Sequence, residues 1–72
     1  MPHVSAGQSQ TYQNQVIYEP LHNDGTVTII NCTLHDVTGT GTLICKGNNT
    51  LSGNVTQGSV VVGWSVSRLN LF

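Results

Sequence analysis

Three glycine-led segments succeed one another in this chain, and their apolar residues fall into columns. They run GTVTIINCTLHDVTGT from Gly25, GTLICKGNNTLSGNVTQ from Gly41 and GSVVVGWSVSRLNLF from Gly58, with the leading glycines 16 and then 17 residues apart. Two positions after each glycine stands Val27, Leu43 or Val60, and four positions after it stands Ile29, Cys45 or Val62. A later apolar pair recurs as Leu34 and Val37, Leu51 and Val55, Leu69 and Leu71. Self-similarity at such a period marks supersecondary units that bury a common core only by stacking, so it constrains architecture more than any other feature of the chain.

The units are built for β structure. β-branched residues dominate 26–37, alternation is clean at Val27 and Ile29, breaks near Ile30 and resumes at Cys32 and Leu34, which predicts one bulged strand or two short strands joined by a bend. No stretch carries helical periodicity. Val16-Ile17-Tyr18 forms a short β-prone run stopped by Glu19-Pro20, and the Asp24-Gly25 step has tight-turn chemistry. Residues 1–14 are nearly devoid of apolar side chains and are expected to form a polar tail, flexible or attached at an edge, while 15–72 form a single all-β domain.

Two all-β architectures satisfy these constraints. In a short parallel β-solenoid each segment is one coil, and equivalent residues stack into inward columns at ~4.8 Å spacing. In an antiparallel meander or small barrel, Thr38-Gly39 becomes a two-residue hairpin loop that sets Leu34 opposite Leu43 and Cys32 opposite Cys45, so that the two thiols are candidates for a disulfide. In neutral composition and in rhythm, Gly25 to Phe72 resembles bactofilin filaments and the repeat regions of bacterial adhesins and phage spikes, a resemblance that implies the solenoid and a structural role.

Charge excludes several function classes. Lys and Arg together number 2 and Asp and Glu 3, far below the roughly 25% of an average chain, so nucleic acid and anionic membrane surfaces are not expected partners. Val60-Val61-Val62 is the longest apolar run near the C-terminal end, and no membrane insertion is expected. Residues 1–3 show no signal-peptide character, while the Thr, Asn, Ser and Gly surface suits an extracellular, cell-surface or virion setting.

Chemistry is sparsely provided for. Cys32 and His35, with Cys45, His22 and His3 as completers, offer metal-ligand types, but residues three apart on a strand face opposite ways and no paired ligand element exists. His35-Asp36 and the His22, Asp24 pair supply imidazole and carboxylate, but sequence neighbours on a strand face opposite ways and two-apart pairs beside a turn commonly arise by chance. No catalytic, cofactor or metal site is therefore predicted. The expected function is non-enzymatic: a structural β-module that self-associates into a homo-oligomer as an element of a fibre, spike or surface layer, with Leu69, Leu71 and Phe72 as interface residues. The alternative is a small carbohydrate-binding module centred on Trp64.

Overall fold

A computed structural model describes residues 2–63 together with the strand backbone at 66–67 and 70–71. The chain winds through about four turns of a parallel β-solenoid, with no helix among the described residues. The first turn contains β1 (His3–Val4), β2 (Ser9–Gln13) and β3 (Val16–Ile17). The second contains β4 (Leu21–Asn23), β5 (Thr26–Ile30) and β6 (Thr33–Leu34), the third β7 (Val37–Thr38), β8 (Thr42–Lys46) and β9 (Asn49–Leu51). The fourth contains β10 (Asn54–Val55), β11 (Ser59–Val62) and β12 (Val66–Ser67), after which β13 (Asn70–Leu71) returns to the first face. Three parallel sheets result, ordered β1-β4-β7-β10-β13, β2-β5-β8-β11 and β3-β6-β9-β12.

The register is the one the glycine columns predict. Ser9 lies beside Thr26, Thr26 beside Thr42 and Thr42 beside Ser59, steps of 17, 16 and 17 residues. Val27, Leu43 and Val60 stack in one column and Ile29, Cys45 and Val62 in the next. Leu34 stacks on Leu51, while Leu21, Val37 and Val55 form a column on the first sheet. Val27, Ile29, Leu34, Leu43, Leu51 and Val55 are all buried, so the interior is a close-packed, mainly apolar rod one side chain deep from each face.

The glycine column has a steric cause. A Cβ on Gly41 would land on the carbonyl oxygen of Gly25 and within 2.8 Å of the Asp24 carbonyl carbon, and one on Gly58 would meet the Thr40 carbonyl oxygen. Only hydrogen fits where one coil's backbone crosses so close to the next. The following corner uses conformation instead: Asn14, Asn31 and Gly47, at the exits of β2, β5 and β8, take φ of 55°, 52° and 74°. Thus the bend expected after Ile30 is a left-handed asparagine between two strands.

Two corners are closed by buried asparagines. Asn49 accepts from the Cys32 N–H through Oδ1 at 2.8 Å and donates through Nδ2 to the carbonyls of Lys46 and Ile29 at 2.8 and 3.3 Å. Asn23 accepts from the Gly25 N–H at 3.0 Å and donates to the Thr42 carbonyl at 2.9 Å. Both side chains satisfy backbone groups that a turning chain removes from the sheet ladders, which is why polar residues belong inside here.

The antiparallel alternative is overturned. Thr38-Gly39 is a corner between faces, and hydrogen bonds from Gly41 N to Asn23 O (3.0 Å) and Thr42 N to Gly25 O (2.8 Å) fix the third turn onto the second. Leu43 consequently neighbours Val27 and Cys45 neighbours Ile29, so Cys32 and Cys45 are free buried thiols and no disulfide joins them. Of the segment 1–14, His3–Val4 and Ser9–Gln13 are the edge strands of two sheets, and Val4 is buried.

Burial pushes the Cys45 thiol up to about 11, from 9.0. A folded-state pKa above the unfolded value gives stability that is complete below pH 9 and is lost as pH rises toward 11. Neither cysteine is expected to react with a thiol reagent at pH 8 before the protein unfolds. Between pH 9 and 11 the denaturant midpoint should fall, by on the order of 2 kcal/mol of stability, and the fall should be smaller in a Cys45→Ala variant.

Candidate functional site

A solenoid has two ends, and those of this chain differ. At the end formed by β1, β2 and β3, the core columns of the second sheet are continued by polar or amphipathic residues, Gln10 beside Val27 and Tyr12 beside Ile29, while Ile17 continues the Leu34 column of the third sheet and Val4 is buried. Gln8 occupies the place that Gly25, Gly41 and Gly58 hold in later turns, and a shallow groove of about 370 Å³ lined by His3, Val4, Gln8, Ser9 and Gln10 opens here. This end is wet.

The opposite end of the second sheet is apolar. Val60 continues the column of Val27 and Leu43, and Val62 that of Ile29 and Cys45, yet Val60 is only half-buried and Val62 is 45% exposed. The column pattern predicts burial for both; they are uncovered because β11 is the last strand of its sheet. Hydrogen bonds from Ser59 N to Gly41 O (3.2 Å) and from Gly63 N to Cys45 O (2.9 Å) point back into the stack. Backbone groups alternate sides along a strand, so the N–H and C=O groups of Val60 and Val62 face the open edge. The edge strand Ser59–Val62 contains neither proline nor charge, the usual guards against pairing with another chain.

Of the residues singled out from the sequence for an interface or ligand, Trp64, Leu69 and Phe72 lie outside the described residues. Leu71 enters β13, where its backbone pairs with that of Val55. Cys32 points inward and His35 outward against Tyr18, ring centroids 5.3 Å apart, so those two ligand types do not converge.

Another group does converge. His3 sits beside His22 in the β1/β4 register, and Asp24 follows two residues after His22 on the same outer face. Ligand-type atoms of the three side chains lie within 4.8 Å of one another, the one such cluster among the described residues. Asp24 is held below the usual carboxylate range, chiefly by the hydrogen bond from the Thr40 backbone N–H and then by His22. Sequence spacing conceals this group, because the step from His3 to His22 is 19 residues where the neighbouring sheet repeats at 16 or 17.

No protein-family model, curated protein or solved structure matches the chain.

Proposed function

We propose that this chain is a structural, non-enzymatic β-module that self-associates through the open edge of β11, as a subunit of a fibre, spike or surface layer. The observation that carries this reading is that Val62 is 45% exposed and Val60 only half-buried, at the ends of columns in which Val27, Ile29, Leu43 and Cys45 are fully buried. A second copy brought onto this edge about a twofold axis pairs β11 with its own mate, satisfies the free backbone groups and completes the apolar rod. On the same sheet at the other end, Gln10 ends the column of Val27 and Gln8 replaces the leading glycine, which disfavours the same contact there and supports closure into a dimer over open-ended growth. Near-zero net charge leaves little repulsion between copies. The carbohydrate-binding alternative depends on Trp64 and draws no support from the described residues.

Light scattering over a dilution series tests the proposal. The expected mass is that of a dimer or larger species at micromolar concentration. In Val62→Lys a charge enters the open edge at a side chain already 45% exposed, so the variant should run as a folded monomer with strand-type circular dichroism. A monomer mass for the parent at every concentration removes the proposal.

A further inference from the structure

We propose that His3, His22 and Asp24 form a three-ligand site for a divalent transition-metal ion, with zinc as its natural fit. Three features of the outer face support it. First, the donor atoms are already gathered: Asp24 Oδ2 is 2.9 Å from His22 Nε2 and 3.9 Å from His3 Nε2. A tetrahedral ion with Zn–N and Zn–O bonds of about 2.0–2.1 Å places its ligand atoms about 3.3 Å apart, a spacing that these two separations bracket.

Second, the backbone fixes the frame. His22 N donates to Pro2 O at 3.0 Å and Asp24 N to Val4 O at 2.8 Å, which locks β1 against β4 and holds the two imidazole centroids 5.1 Å apart. The site therefore needs side-chain rotation and no rearrangement of the coil.

Third, two of the three ligands have an outer partner. Asp24 Oδ1 accepts from the Thr40 N–H at 3.0 Å and from its hydroxyl at 3.3 Å, leaving Oδ2 for the ion. The Thr38 hydroxyl lies 3.1 Å from His22 Nδ1. With the metal on Nε2, the ring proton belongs on Nδ1, where this hydroxyl accepts it, the arrangement that orients a ligating histidine. His22 Nε2 now donates to Asp24 Oδ2, so the ion would replace that hydrogen bond. The outer side of the cluster is open, His3 being 52% exposed, which leaves the fourth coordination position to water or to an oxygen or nitrogen donor from another molecule.

Imidazole and carboxylate donors suit zinc, copper and nickel over calcium or magnesium, which take oxygen ligands. The experiment is a calorimetric titration of the full chain, free of any histidine tag, with zinc chloride, alongside calcium chloride. One zinc per chain at micromolar affinity is expected, with no calcium heat. His3→Gln, at an exposed edge position, should keep the melting temperature of the metal-free protein while weakening zinc at least tenfold. Thr40→Ala, which acts only through Asp24, should weaken it by a smaller factor. Zinc affinity that is no better than millimolar, or that His3→Gln leaves unchanged, overturns the assignment.

Discussion

Gly41→Ala is expected to destabilise the fold by about 3 kcal/mol, measured as a loss of denaturant midpoint, although alanine is ordinarily the more favourable residue in the unfolded-state balance. The added methyl would strike the Gly25 carbonyl oxygen and come within 2.8 Å of Gly25 N, all backbone atoms that no rotamer change can move. Relief requires the second and third turns to separate, which stretches the bonds from Gly41 N to Asn23 O and from Thr42 N to Gly25 O. Gly63→Ala is the matched control. Its Cβ would meet the Cys45 carbonyl oxygen at 3.5 Å, an ordinary contact, and the residue does not take a positive φ. That substitution should change stability by less than about 0.5 kcal/mol. Equal losses at the two positions would mean that close approach between coils is not what the glycines serve.

The same steric reason explains why three turns were readable in the sequence and the first was not. A leading glycine is needed where a coil's corner presses on the backbone before it, as Gly25 presses on Gln8 and Ser5. Gln8 itself lies at the end of the stack, so the mark that identifies the later repeats is missing from 1–14, and the polar strand Ser9–Gln13 resembles a tail. The buried asparagines are hidden in the sequence for a related reason. Asn23 and Asn49 are polar by composition but serve corner backbone groups, a demand visible only once the corners exist in three dimensions. Thr38-Gly39 misled in the other direction, since φ of 111° at Gly39 suits a solenoid corner as well as a hairpin, and local turn chemistry does not distinguish them. The His3, His22 and Asp24 cluster depends on a register step longer than the visible period, and one of its members stands in the segment without a repeat signature.

Position along a core column should set the cost of truncation. Leu43→Ala empties a site enclosed by Val27 on one side and Val60 on the other, in the middle of a column where the side chain is fully buried. Removing its buried carbons costs both their transfer energy and the cavity left between rigid sheets, roughly 3–4 kcal/mol. Val62→Ala, on an edge strand and 45% exposed, should cost under about 1 kcal/mol in a dilute sample, where only part of the side chain leaves water on folding. The two variants should exchange rank when association is measured. Leu43 lies one coil inside the open edge, away from a second copy seated on β11, whereas Val62 would lie within that contact. Val62→Ala is therefore expected to weaken self-association at least fivefold while leaving the monomer's melting nearly unchanged. Leu43→Ala should do the reverse, with melting lowered and association intact in whatever fraction stays folded. If both valine and leucine truncations alter melting alone, the exposed ends of the columns are ordinary surface and the assembly proposal loses its main support.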